Sequence, residues 1–343
     1  MNTLIFILYI SAKSNRLNSD YFSKFRYEII LEKINDRSLI FLNSLLFFHK
    51  ILRFISVQKY RLQVFSMNGN QALKTAIAQN KGGVGKTTIT VNVAVALAAR
   101  GYQVLVVDLD AQCNATNHIS VTPAVELAYS VADFFDDYKR FDPSLAILKD
   151  EQTRFTNISL LPSSKRIGDA ARNLQRNSPI PNEILSRILG RIEADYDFIL
   201  VDCPPEIETL TFNALVAVNN FILPAQGQYS IEGFEKILDA MDSLDRINPE
   251  LKILCPVLNF FKKNQLADKN MKEQLEEEFN TVVLENRVIH PEIILIPQSA
   301  VFEQAAITKM SIYDLASHKA PAVEAINHIV DLLEQQYQQQ KAA

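Results

Sequence analysis

Residues 79–88 read Gln79-Asn80-Lys81-Gly82-Gly83-Val84-Gly85-Lys86-Thr87-Thr88, and the fold of the chain turns on them. An apolar segment, Ala76, Ile77 and Ala78, leads in, and a helical stripe of Ile89, Val93 and Leu97 leads away. A strand, a glycine-rich turn and a helix start, in that order, are what a phosphate-binding loop requires. Gly82, Gly83 and Gly85 permit backbone angles and close approaches that a Cβ would block, so several N–H groups can converge on phosphate oxygens. The helix start adds a partial positive charge at the same place. Lys86 is the expected partner of the β- and γ-phosphates of ATP, and the Thr87 hydroxyl an expected Mg²⁺ ligand. Val84 and Thr88 complete the expected nucleotide-binding stretch. The plain alternative is a glycine turn before an ordinary amphipathic helix.

The loop carries a second lysine, Lys81, where an ordinary Walker loop has no fixed requirement. The form Lys-Gly-Gly-Val-Gly-Lys-Thr-Thr resembles the deviant Walker motif of the ParA/MinD family of ATPases. The resemblance implies a nucleotide-sandwiched homodimer in which Lys81 of one copy reaches phosphate in the site of the other. A cation supplied in trans can stabilise the charge that develops during phosphoryl transfer. A solvated surface lysine is the alternative.

Two more segments bear on the same reading. Residues 103–108, Gln-Val-Leu-Val-Val-Asp, form a near-continuous apolar run and predict a buried parallel strand. It delivers Asp108, Asp110, Gln112, Asn114 and Thr116 to its carboxyl end, where nucleotide sites of open α/β sheets lie. This stretch is similar to the family's Asp-x-Asp-Pro-Gln-x-Asn, with Ala111 in place of the proline and Cys113 as the next small residue. The resemblance makes Asp110 the group that positions or polarises the attacking water. Residues 196–205 run through four apolar residues into Asp202, then Cys203, Pro204 and Pro205. The run resembles a Walker B strand, whose acid is expected to hold Mg²⁺ through a water or to bind the loop threonine. The proline pair stops the strand and sets the direction of the next segment.

Further along, residues 252–259 predict another buried strand, ending in Asn259. The resemblance implies that Asn259 touches the adenine and that Pro297 packs beside it. A strand-end Asn is otherwise a common turn former. Val323, Ile326, Val330 and Leu333 fall at helical spacing and read as core. The fold expected is α/β, a doubly wound, mostly parallel sheet flanked by helices. The resemblance spans roughly residues 71–335, with 336–343 expected to be a frayed polar tail.

The first 66 residues do not share this pattern. They hold none of the chain's 9 Gly and 13 Pro, yet 8 of its 20 Phe. Their 10 Lys/Arg against 4 Asp/Glu give +6, while the remaining 25 against 35 give −10, summing to the −4 of the whole chain. An over-extended start ahead of Met67 is the simpler expectation, and a membrane-binding extension the rival. The longest unbroken apolar run, Leu4 to Ile10, falls far short of the ~20 residues a spanning helix needs. Without that segment 277 residues remain (343 − 66), ample for one α/β domain. Cys113, Cys203 and Cys255 show no metal-binding spacing, and reduced thiols are expected.

By resemblance, the leading functional expectation is an ATPase that partitions DNA in the cytoplasm, on the nucleoid. Its ATP-bound dimer would hold DNA without sequence preference until a ParB-like or other cargo-bound protein stimulates hydrolysis. A net −10 over residues 67–343 excludes a generic polyanion binder, so DNA binding requires a local basic patch. Lys262, Lys263, Lys269, Lys272, Arg287, Lys309 and Lys319 are the candidates, scattered solvated charge the alternative. A MinD-like membrane-associated positioner is the rival class. The tail after Glu334, with one cation and one aromatic, does not suit an amphipathic anchor, so no membrane partner is expected. A ParA-like positioner of a protein cargo is the third possibility.

Overall fold

Among the described residues, seven short apolar runs become strands: β1 (Leu73–Ile77), β2 (Val104–Asp108), β3 (Ile158–Leu161), β4 (Phe198–Asp202), β5 (Asn220–Ala225), β6 (Lys252–Phe261) and β7 (Ile294–Pro297). The computed structural model describes residues 71–342 apart from 228, 229 and 285. The N-terminal segment and the expected start at Met67 lie outside the described residues. The strands join in the order β3-β2-β4-β1-β5-β6-β7, and every ladder between them is parallel. Parallel neighbours need long crossovers, and helices supply them. These are α1 (Lys86–Ala99), α2 (Asn114–Ile119), α3 (Val131–Asp137), α4 (Ile167–Asn177), α5 (Ile184–Leu189), α6 (Thr209–Ala217), α7 (Ser230–Leu244), α8 (Leu266–Leu284), α9 (Ala300–Thr308), α10 (Ile312–Leu315) and α11 (Pro321–Ala342).

Successive strand residues feed opposite faces, as the two-residue period demands. On β4, Ile199 and Val201 join one core with residues of α3 to α8, while Phe198 and Leu200 join another with α1, α2, α9 and α11. Both faces are covered, which is why β2 and β4 read as unbroken apolar runs with every residue buried. The doubly wound expectation is therefore met. From β1 the chain moves outward to β2 and β3, returns to β4, then passes β1 to build β5, β6 and β7. The crevice at the carboxyl end of β1 is the place where such sheets bind ligands.

Two details depart from the sequence reading or extend it. The polar end expected beyond residue 335 is not frayed: α11 stays helical to Ala342. Tyr337, 1% exposed, anchors it, packing on Tyr102 and Phe198 with its hydroxyl donating to Asp197. One buried aromatic outweighs the polar glutamines around it. On the same face, His118 of α2 is buried with Nε2 2.9 Å from the Met310 carbonyl. A carbonyl only accepts, so that nitrogen carries the proton. Burial pushes the His118 pKa below its ordinary value.

Candidate functional site

The loop between β1 and α1 takes its shape from backbone angles that side chains resist. Gly83 has φ +79° and Gly85 φ +91°. A Cβ on Gly85 would lie 2.1 Å from Nδ2 of Asn259, so that position is glycine for want of space as well as for conformation. Gly82 and Gly83 are exposed at the crest, Val84 is buried beneath them, and Thr87 and Thr88 are half-buried on the first turn of α1. Lys86 is buried, and its Nζ donates to the carbonyls of Gln79 (3.2 Å) and Lys81 (2.9 Å). Burial lowers its pKa, although Asp202, Cys203 and Asp110 all favour the charged form.

Two acids meet at the ends of neighbouring strands. Asp108 of β2 and Asp202 of β4 are paired in register, and both are fully buried. Desolvation raises both pKa values, and the negative charge of Asp108 raises Asp202 further. Asp202 Oδ2 accepts from the Thr87 hydroxyl at 2.7 Å, and its Oδ1 from Thr90 at 3.3 Å. Asp108 is consumed by structure: Thr116 donates to it twice (N 2.8 Å, Oγ1 2.7 Å) and the Asp110 N–H once (3.0 Å). Asp110 itself stands half-buried on the turn, its Oδ1 accepting from Gln112 N at 2.9 Å. Cys113 closes that turn in the left-handed region, φ 56°, with its N–H on the Asp110 carbonyl (2.9 Å).

A hydroxyl and a carboxylate side by side at a phosphate loop suit Mg²⁺, a hard cation that binds oxygen and keeps waters and phosphate oxygens. Among the described residues no cluster of three His, Cys, Asp or Glu is arranged to hold a metal by itself. The Thr87–Asp202 pair therefore fits a cation completed by water and phosphate.

Other anticipated residues lie around the loop. Lys81 is half-buried at its rim, with Nζ donating to the Gln226 carbonyl at 3.0 Å in the connection after β5. Asn259, 6% exposed, reaches from β6 into the loop, donating to the Val84 carbonyl (2.9 Å) and accepting from Phe260 N (2.9 Å). Pro297 stands one strand further out, half-buried and in register with Phe261. Lys262, Lys263, Lys269, Lys309 and Lys319 are exposed, whereas Lys272 pairs with Glu276 and Arg287 with Asp242 and Asp245.

Sequence reasoning gave no supporting role to four groups. Thr90 and Thr116 hold the two buried acids, and helical spacing from Thr87 would have found only Thr90. Gln79 donates to the Pro224 carbonyl and accepts from Asn80 N, and it packs so closely on Gly233 of α7 that a Cβ there would meet its Oε1 at 2.5 Å and displace it. Nothing in the sequence pairs residues 79 and 233.

Residues 73–253 match the family model described as an AAA domain, AAA_31. The sporulation initiation inhibitor protein Soj of Bacillus subtilis is 35% identical over 182 residues, which is 52% of this chain and 68% of Soj. The chromosome partitioning protein ParA of Myxococcus xanthus is 28% identical over 243 residues, 70% of this chain and 81% of that protein. Among solved structures, cobyrinic acid a,c-diamide synthase from Mycobacterium smegmatis with bound ADP and magnesium shares the fold, with a TM-score of 0.61 at 23% identity. The match covers 78% of this chain and 96% of that one.

Proposed function

The chain belongs to the ParA/MinD-type family of P-loop ATPases, and on that footing we propose that it is a DNA-partition ATPase. It binds ATP with Mg²⁺, pairs with a second copy, holds DNA without sequence preference, and hydrolyses ATP when a cargo-bound partner stimulates it. The observation that carries this reading is the different placing of the loop's two lysines. Lys86 is buried inside the loop, while Lys81 stands at its rim on the Gln226 carbonyl. A rim lysine suits delivery of charge to a neighbouring copy better than service to its own site.

In this mechanism the N–H groups of Gly82 to Thr88 and the start of α1 receive the phosphates. Lys86 exchanges its two carbonyl partners for β- and γ-phosphate oxygens. Thr87 would hold Mg²⁺, with Asp202 supporting it through a water. When bound, that cation would neutralise charge on the phosphates. Asp110 orients the attacking water, held ready by the scaffold of Asp108 and Thr116. Lys81 of the second copy offsets charge on the transferring phosphoryl group. Asn259 and Pro297 belong to the nucleotide-binding wall on the other flank.

For DNA, the exposed Lys262, Lys263, Lys269, Lys309 and Lys319 are the leading contacts, because Lys272 and Arg287 are occupied by ion pairs. Pairing two copies doubles the patch and makes weak phosphate contacts depend on nucleotide. The protein would act in the cytoplasm on the nucleoid, through a partition domain spanning residues 67–335 with the end of α11 docked onto it. The membrane-positioning alternative gains nothing from α11, which turns its aromatic inward. Among the described residues no helix is long and apolar enough to cross a membrane.

The test is binding of the full chain to arbitrary duplex DNA with ATP, with ADP and without nucleotide, across a salt series. Asp110→Ala is included to hold the ATP state. Binding confined to ATP and falling steeply with salt is expected. A trapped ATP state that ignores DNA would end the partition reading.

A further inference from the structure

Phe260 is out of place by ordinary rules. It adopts φ 59°, a left-handed conformation in which Cβ crowds the following carbonyl and which bulky residues avoid. It occupies the irregularity in the β6–β7 ladder between Leu258 and Phe261, and it is 36% exposed. Two linked hydrogen bonds hold it there. Its N–H donates to Asn259 Oδ1 at 2.9 Å, and Asn259 Nδ2 donates to the Val84 carbonyl at 2.9 Å. Its Cε2 lies 3.9 Å from the point a Cβ on Gly85 would occupy. A strained conformation thus displays an aromatic ring at the rim of the phosphate loop. Strain of this kind persists only where the surroundings over-determine it, and it concentrates at ligand sites.

The order of the strands says which part of a nucleotide meets that ring. Asp108, Asp110 and Asp202 stand at the ends of β2 and β4, on one side of β1. Phe260 and Pro297 stand at the ends of β6 and β7, on the other. Phosphates belong at the loop and at the cation its acids hold. The uncharged, flat end of a nucleoside triphosphate is left for the flank that offers an apolar ring and no carboxylate from those strand ends. Asn259 is only 6% exposed, and each end of its amide already holds one protein partner, leaving at most one N–H and one lone pair toward a base.

We infer that Phe260 is the platform on which the base of the bound nucleotide stacks, and that Asn259 is a positioning residue for Phe260 and the loop. The inference rests on the proposed ATPase reading and assigns its base contact to a residue that the sequence reading passed over. Every base has a π-face, so stacking supplies affinity without needing an exposed hydrogen-bonding side chain.

The test compares equilibrium binding of Mg·ATP and of Mg·tripolyphosphate, which has no base, to the full chain and its variants. Losing a base–aromatic stack weakens binding on the order of 5- to 100-fold. Phe260→Ala should weaken Mg·ATP in that range and leave Mg·tripolyphosphate unchanged, and Phe260→Tyr should restore ATP binding. Phe260→Gly, which relieves the left-handed strain, should lose ATP affinity as the alanine variant does, showing that the ring and not misfolding is responsible. Asn259→Ala should weaken both ligands, because it releases the Val84 carbonyl of the loop. ATP binding unchanged in both the alanine and glycine variants would overturn the inference while leaving the ATPase reading intact. So would equal loss of both ligands in the alanine variant, which would make Phe260 a shaper of the loop. A loss confined to ATP in Asn259→Ala would return base reading to the amide. A wild-type chain that bound neither ligand would instead remove the ATPase reading itself.

Discussion

The close fit of Asn259 over Gly85 makes a quantitative prediction through a pair of substitutions. Gly85→Ala forces a Cβ into a left-handed residue, which costs about 1–2 kcal/mol in backbone strain. It also drives Asn259 aside, because the new carbon would sit 2.1 Å from its Nδ2. The amide then loses its bonds to the Val84 carbonyl and the Phe260 N–H, each worth about 0.5–1.5 kcal/mol net. The single variant should therefore lose roughly 2–5 kcal/mol of stability. Asn259→Ala alone should lose about 1–3 kcal/mol, for the same two bonds. In the double variant the amide is already gone, so alanine at 85 adds only its backbone strain. The summed single losses should exceed the double loss by about 1–3 kcal/mol, in contrast to the additivity of independent sites. Urea unfolding of the four proteins, read at constant m-value, measures this directly. Additivity within about 0.5 kcal/mol would refute the claim that Asn259 occupies the space of the missing Cβ.

Other expected outcomes concern the site and its supports. Lys86→Ala should abolish productive nucleotide binding in a fluorescent-ATP titration, while Asp110→Ala should bind ATP and accumulate as a dimer that barely hydrolyses it. Lys81→Ala should still bind ATP but fail in ATP-driven pairing or hydrolysis; normal turnover would dispose of a lysine acting in trans. Tyr337→Ala should lose about 3–5 kcal/mol in urea unfolding, and Tyr337→Phe about 1–2 kcal/mol for the bond to Asp197; a frayed tail would lose neither. Buried His118 should cost the wild type stability relative to His118→Gln as the pH drops below about 6.5, because the unfolded imidazole takes up a proton there that its buried site, beside Lys309 and Arg154, resists; the raised carboxyls of Asp108 and Asp202 pull absolute stability the other way over the same range. His290, lowered by burial and by neighbouring His328, acts in the same direction as His118, so the stability difference between wild type and His118→Gln should shift between pH 7 and 5 in a chemical-denaturation series.

Much of this was legible in the chain because phosphate binding imposes strict local spacing. The loop, its two lysines and the acids at the ends of β2 and β4 are set within a few residues by strand period and helix start. What escaped is what strands bring together from afar. The 175-residue span from Val84 to Asn259 and the seating of Gly233 on Gln79 exist only once β5 and β6 pair beside β1. Phe260 escaped for a different reason: its angle comes from an irregular ladder, and nothing in a run of apolar residues announces a left-handed one. The C-terminal end was misread because composition counts glutamines, whereas a single buried tyrosine decides whether the last turns dock.

The hydrogen bond from Asn259 to Val84 also divides the pocket mechanically. It clamps the loop to β6, so the flank carrying Phe260 is built to move with the phosphates as one piece. Across β1, Asp108 and Thr116 pin the two ends of the segment that holds Asp110, and the turn between them is held by its own short-range bonds from Gln112 N and Cys113 N to Asp110. Motion triggered by loss of a phosphate should start in that turn and travel out through α2, whose His118 touches the Met310 carbonyl beyond α9. Hydrogen exchange should find a quiet wall and a restless hinge on opposite sides of the same phosphate loop.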